Sequence, residues 1–303
     1  MSGEFQGIGA EVEAVDQDIV IVSPIEGSPA EAAGLQPGDI LRQADGVDLT
    51  GMDVYEAAQL VRGPAGTAVL LLIERGDESF EIEIVRDYVE LKSVRSEILD
   101  GNIAYLRLSR FGNQSGDELE QALEEMMAAN PAGLILDLRR NPGGSLDTAV
   151  DIADQFLPEG IILREQFGDG NEQLYESTDK GLAETVPLVV LIDEGSASAS
   201  EVLAGAIRDE DRGILIGQTS FGKGTVQTWQ GLSNGGGVRL TIARWLTPDE
   251  TWIHGTGLEP DYFIPLPDTT SGEEFEDTQL QAAISYLLGK TIISVPPVEE
   301  MEG

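Results

Sequence analysis

Residues 195–227 read GSASASEVLAGAIRDEDRGILIGQTSFGKGTVQ and hold the groups with which this chain could do nucleophilic chemistry. Ser196, Ser198 and Ser200 stand in a turn that opens an Ala-rich helical stretch. A short apolar strand follows, and then Lys223 between Gly222 and Gly224. A serine hydroxyl is a poor nucleophile until a neighbouring base removes its proton. The usual base is scarce here. The chain has one histidine, His254, in a loop punctuated by Gly and Pro, and it has no cysteine. Cysteine nucleophiles, disulfides and thiolate zinc sites are thereby excluded. A lysine can replace histidine where desolvation disfavours its charged form. Lys223, set among glycine backbone, suits that role, whereas a solvated loop lysine would be inert.

A serine and a lysine this far apart in sequence need a frame that brings them together. VPLVVLID at 186–193 reads as a buried strand delivering the chain to the serine turn, and GLILDL at 133–138 as another, followed by RRNPGGSLDTAVDIADQFL, a turn into a helix. NIAYLRLSRF at 102–111 reads as a strand. SGDELEQALEEMMAAN reads as a helix capped by Ser115 and closed by Glu118 in a capping box. DTQLQAAISYLL at 277–288 supplies a last helix. A further hairpin is expected from GGGVRLTIARWL and the turn residues at 247–249. Strands alternating with helices argue an α/β domain.

The earlier part of the chain differs. It shows strand-like runs at 19–23, 39–49 and 69–86, with a hairpin turn at Gly76-Asp77. A single helix fits between them, capped by Asp53 and ended by Gly63. A strand at 89–99 connects the halves. The expected fold is therefore α+β and α/β in two domains, a small β-rich domain over 6–88 and an α/β core over 89–290. Residues 291–303 are expected to form an acidic, disordered C-terminal tail.

Composition narrows the partners. With 55 acidic against 18 basic residues the chain carries −37, which repels nucleic acid and anionic lipid surfaces. Its apolar runs are too short to span a bilayer, and MSGEFQGIGA lacks the basic and apolar regions of a signal peptide. GQTSFGK at 217–223 matches the spacing of a phosphate loop, but Gly224 stands where Ser or Thr would hold magnesium. TVQTWQGLSNGGG after it does not read as the helix that should receive phosphate. Neither nucleotide nor metal is expected as a cofactor.

Two resemblances sharpen this reading. GSPAEAAGLQPGDILRQADG at 27–46 resembles the central stretch of a PDZ domain, and GIGAEV at 7–12 its carboxylate-binding loop and groove strand. The resemblance implies that Gly7, Ile8, Gly9 and Ala10 receive a peptide tail by β-augmentation. Residues 103–261 resemble the C-terminal processing peptidases in four places: DLRRNPGG at 137–144, GSASASEVLAGA at 195–206, SFGKGTVQ at 220–227 and IHGTGLEPD at 253–261. On that resemblance the nucleophile falls on Ser198, its base on Lys223 and the lysine's partner on Gln227. The oxyanion donors fall on Ala199 and on Gly143 or Gly144, leaving Ser196, Ser200 and Asp209 structural. A serine endopeptidase acting through an acyl-enzyme on protein substrates with free, apolar C-termini is implied. So are an extracytoplasmic setting and a possible homo-oligomer. The alternative on the same fold is a catalytically latent PDZ-type tail-binding protein.

Overall fold

Period-two burial builds the first part of the molecule. In β6 (Ala68–Arg75), Val69, Leu71 and Ile73 are fully buried while alternate residues face outward. The computed structural model describes residues 4–25, 27–76, 78–90, 92–231, 236–266 and 276–295. The chain divides into two units, 1–91 and 92–303.

In the first unit, β2 (Ala10–Val15), β3 (Asp18–Pro24), β4 (Ile40–Ala44), β6 and β7 (Glu78–Val85) form an antiparallel sheet in the order β2-β3-β4-β6-β7, with the short β5 (Val47–Asp48) on β4. β1 (Glu4–Gly7) pairs separately with β8 (Asp87–Glu90). β6 and β7 meet at Arg75 and Glu78 around Gly76, the hairpin the sequence implies; Asp77 lies outside the described residues. Besides the four-residue α1 (Pro29–Ala32), the unit has α2 (Val54–Val61). Asp53 and Glu56 cap α2 reciprocally, and Ala57 and Val61 face the core of Ile19, Ile21, Leu41 and Leu71.

The second unit is built on a six-stranded sheet ordered β18-β15-β14-β11-β10-β9. β10 (Ile103–Leu108), β11 (Gly133–Asp137), β14 (Leu188–Ile192), β15 (Ile214–Gly217) and β18 (Tyr262–Phe263) run parallel, and β9 (Val94–Leu99) is the antiparallel edge. β11 and β14 are buried on both faces, as central parallel strands must be. Leu134, Leu136, Val190 and Ile192 pack in one core with residues of α3 (Ser115–Ala128), α4 (Leu146–Asp154) and α5 (Ala199–Asp209). Ile135, Val189 and Leu191 pack instead with α6 (Thr278–Leu287). Each Leu, Ile or Val so buried contributes about 1.5–3 kcal/mol relative to exposure. A second, antiparallel sheet, β13-β12-β17-β16, comprises β12 (Ile161–Phe167), β13 (Glu172–Glu176), β16 (Thr225–Gly231) and β17 (Gly237–Leu246).

Three expectations change. The connecting strand expected at 89–99 is two strands, β8 and β9, which belong to different units. Ser115 is the first helical residue of α3 rather than its cap, which is Gln114. Its hydroxyl accepts from the Gly112 N–H at 2.8 Å, while Glu118 accepts from Ser93 and Val94 at the start of β9. Tertiary donors there outcompete the local capping box. Finally, β17 pairs backwards with β16 rather than forwards across 247–249. The stretch after Lys223 that did not read as a helix begins with that first strand, Thr225–Gly231. Of the acidic tail expected over 291–303, Ile292 packs with the α6 core and the Val295 N–H bonds the Phe263 carbonyl at 2.8 Å, so its first residues are held by the fold; residues 296–303 lie outside the described residues.

Candidate active site

β14 ends at Ile192, and Asp193 begins the turn into α5. The Asp193 carboxylate accepts from the Arg140 N–H at 2.7 Å and the Gly195 N–H at 2.9 Å, fixing the serine turn against the loop after β11. The three serines then separate by environment. Ser196 is fully buried and its hydroxyl bonds the Leu138 carbonyl at 2.8 Å; Ser200, equally buried, bonds the Asn141 carbonyl at 2.9 Å. Both hydroxyls are committed to the fold. Ser198 is half-buried, with φ 55° and ψ −113°, a strained conformation for a residue carrying a Cβ. A sharp strand-to-helix turn of this kind pushes the central side chain out of the chain's path.

Ser198 lines a cavity of about 440 Å³ together with Ala199, Gly144, Lys223 and Gln227. Leu146, Val202, Val226 and Trp245 give the same cavity an apolar wall. Lys223 is half-buried. Among the described residues no hydrogen bond joins the Ser198 hydroxyl to the Lys223 amine, or that amine to Gln227. All three residues line one space.

The NPGG loop lies directly against the turn. A Cβ on Gly143 would stand 2.6 Å from the Ala197 carbonyl oxygen and 2.8 Å from the Ala199 nitrogen, so only glycine lets the loop approach. The N–H of Gly143 is engaged by the Asn141 side chain at 2.9 Å. Gly144 differs. A Cβ there would meet the Phe111 carbonyl oxygen at 2.1 Å. Among the described residues, the N–H groups of Gly144 and Ala199 take no hydrogen-bond partner. Of the two glycines the sequence left open, Gly144 is the one lining the cavity with a spare donor.

The residue that joins the serine turn to the lysine loop escaped the sequence reading. Glu201, fully buried in the first turn of α5, accepts from the Ser198 N–H (2.7 Å), the Ser220 hydroxyl (2.6 Å), the Gly222 N–H (2.6 Å) and the Lys223 N–H (2.9 Å). Its signal was present as the S-x-x-E spacing from Ser198, which reads as a capping box. Asn141 was overlooked in the same way. Its carbonyl receives the Ala197 N–H and the Ser200 hydroxyl, and its side chain holds the Leu108 carbonyl as well as Gly143. Two indoles clamp the lysine loop from the other side: Trp245 donates to the Lys223 carbonyl at 2.9 Å and Trp252 to that of Gly224 at 2.8 Å. His254 stacks on Trp252, with ring centroids 5.4 Å apart, and does not line the cavity. Lys223 leads into a strand, not the helix a phosphate loop requires.

Behind the site, Arg139 is buried and forks between Asp137 (2.7 Å) and Asp277 (2.8 Å), the N-cap of α6. Burial by itself would raise the Asp277 pKa. The hydrogen bonds from Arg139 and the Leu280 N–H outweigh it and hold the carboxyl below its ordinary value. Tyr105 donates to Asp137 at 2.7 Å, and burial with that carboxylate beside it pushes the phenol well up, so it remains a donor. Asp209, at the end of α5, pairs with Arg208, the structural role the sequence suggested.

In the first unit, a groove of about 250 Å³ lies along β2 and α2, lined by Ile8, Gly9, Ala10, Val12, Val54 and Arg62 among others. Among the described residues β2 is the outer strand of its sheet, with no strand paired on its far side, the arrangement an added strand uses. Gly9, at φ 76°, carries its carbonyl to the Ser28 hydroxyl (2.8 Å) and the Ile25 N–H (2.9 Å). Gly7 is not part of the lining; it pairs with Asp87 in β1.

Comparison with known proteins identifies the family. Residues 102–264 match peptidase family S41 and residues 20–75 the PDZ domain. The carboxy-terminal processing protease CtpA of Bacillus subtilis (strain 168) is 40% identical over 270 residues, covering 88% of this chain and 58% of that protein. A carboxy-terminal-processing protease of Bartonella bacilliformis is 41% identical over 279 residues, covering 89% of this chain and 64% of that protein. The chain thus spans about three fifths of the length of these relatives. A solved photosystem II D1 C-terminal processing protease superposes with TM-score 0.55 at 31% identity, covering 88% of this chain and 75% of that one. With a PDZ domain followed by the matching peptidase domain, the chain belongs to peptidase family S41.

Proposed function

We propose that the chain is a serine endopeptidase cleaving peptide bonds near the C-termini of protein substrates. One observation carries the reading: Ser198, alone of the three serines, is held at positive φ with its side chain on a cavity that Lys223 and Gln227 also line. Ser198 Oγ attacks a substrate carbonyl. Lys223, as a neutral amine, takes the hydroxyl proton and returns it to the leaving amine, and water then hydrolyses the acyl-enzyme. The N–H groups of Ala199, at the start of α5, and of Gly144 receive the developing oxyanion. Gln227 holds the lysine without adding charge. The groove along β2 and α2 takes the substrate's free C-terminal tail through Ile8, Gly9 and Ala10, with its apolar lining favouring an apolar last residue. The reading sets the enzyme outside the cytoplasm, to be checked by fractionating cells of the source. Among the described residues no helix is long and apolar enough to cross a membrane.

Cleavage of an unstructured protein such as casein tests the chemistry. Ser198→Ala and Lys223→Ala are each expected to lower kcat by at least 10³-fold with the fold intact by circular dichroism. Full activity in Ser198→Ala would overturn the assignment. That no hydrogen bond joins the Ser198 hydroxyl to the Lys223 amine among the described residues favours a second reading, a tail-binding protein whose site is latent. Labelling with a fluorophosphonate separates them: modification at Ser198, alone or on adding a peptide with a free C-terminus, belongs to the enzyme. Peptide binding without labelling under either condition belongs to the latent form.

A further inference from the structure

Arg107, near the end of β10, and Arg140, just after β11, line a smaller space of about 130 Å³ in the second unit, together with Arg139, Asp193, Leu266 and Asp277. It lies outside the carboxyl ends of three neighbouring parallel strands, β10, β11 and β14, the region where open α/β sheets hold ligands. The charged groups around it are unequally satisfied. Arg139 is answered by Asp137 and Asp277. Asp277 also accepts from the Leu280 N–H at 2.9 Å, and Asp193 accepts from the N–H groups of Arg140 and Gly195. The guanidinium groups of Arg107 and Arg140 form no ion pair or hydrogen bond among the described residues.

Their isolation is at odds with the chain's composition, since 55 acidic residues stand against 18 basic ones. A third arginine compounds it. Arg95 of β9 lies directly opposite Arg107 of β10, and its side chain likewise forms no ion pair among the described residues. Residues opposite each other in antiparallel strands share a face, and like charges so placed destabilise the pair. An anion beside them removes that repulsion. Guanidinium groups present forked donors that match the oxygens of a phosphate. A water occupies about 30 Å³ of liquid, so the space admits roughly four water-sized groups, as many as the oxygens of one phosphate. A chain at −37 repels polyanions at long range, which leaves a small ion held by direct contact.

We propose that this space binds a single tetrahedral oxyanion of the phosphate type, held by the guanidinium groups of Arg107 and Arg140, with Arg95 adding its charge from the neighbouring strand. The site adjoins the serine turn, because the Arg140 main-chain N–H bonds the Asp193 carboxylate that anchors it. A ligand bound here stabilises the fold by mass action. The inference does not depend on the serine-peptidase reading.

The test is isothermal titration of the full chain with sodium phosphate. Sodium acetate and sodium chloride at matched ionic strength control for general screening of the net charge. Saturable one-to-one binding of phosphate is expected, with none of chloride or acetate. Arg107→Gln/Arg140→Gln should weaken it by at least about tenfold, because each replacement removes a charge-assisted pair. Arg95→Gln should weaken it by about two- to fivefold through charge alone. No saturation by about 50 mM phosphate, an affinity too weak for a site, would overturn the proposal. So would equal binding of acetate, or unchanged affinity in the folded double variant. Where the double variant fails to fold, unchanged affinity in Arg95→Gln overturns it instead.

Discussion

Glu201 illustrates how one side chain fixes the distance between two others. Its two oxygens accept four hydrogen bonds, one from the Ser198 N–H and three from the loop carrying Lys223, in a position closed to solvent. Replacing it with Gln turns one of those oxygens into an NH₂ that faces two donors. Glu201→Gln is expected to lower stability by about 2–4 kcal/mol and kcat by more than 10²-fold, read by urea unfolding and casein cleavage. Wild-type turnover in a folded Glu201→Gln protein would show that the carboxylate does not set the serine–lysine geometry. Gly144→Ala probes the loop from the other side. Its Cβ would lie 2.1 Å from the Phe111 carbonyl oxygen, so the loop must shift. The expected result is a loss of about 1–3 kcal/mol and, if this N–H is the oxyanion donor proposed above, a far larger proportional loss in kcat than in KM.

Among the elements, those with a strong period were legible in the sequence. β11, β14 and the helices α3, α5 and α6 fall where apolar spacing puts them, because burial on one or both faces dictates residue type. Less legible was anything decided by competition between local and distant partners. Ser115 lost its capping role to donors at β9, and Glu201 was hidden because a capping-box pattern does not reveal which loop will arrive at the carboxylate. That the Gly143 N–H is engaged while that of Gly144 is spare needed the Asn141 side chain in place. α6 offers a test of one such distant tie. Asp277 both caps the helix and pairs with Arg139. Asn can still cap, so Asp277→Asn removes chiefly the charge and should cost about 1–2 kcal/mol at pH 7. The native Asp277 pKa lies below its reference value of 3.8. Its contribution is therefore complete above that value and lost as pH falls through the native pKa. The stability gap between wild type and variant should hold from pH 7 to about 5 and close in stronger acid; a gap constant to pH 2 would exclude the charge pair as its source.

At the scale of the whole molecule, net charge dominates. A chain carrying −37 repels itself in the compact state. Raising NaCl from 0.05 to 0.5 M shortens the screening length severalfold and should raise Tm by about 2–4 °C, measured by scanning calorimetry. A falling Tm would mean that ion pairs such as Arg139–Asp277 outweigh the general repulsion. That same pair has a consequence in time. Arg139 and Asp277 are 138 residues apart, and α6 covers a sheet face that includes Ile135 and Leu191. At roughly 5–20 residues per second, Ile135 leaves the ribosome some 7–30 s before the helix that shields it. During that interval the nascent sheet shows one bare apolar face to chaperones and to other chains. Completion of the fold is thereby deferred until synthesis has passed α6.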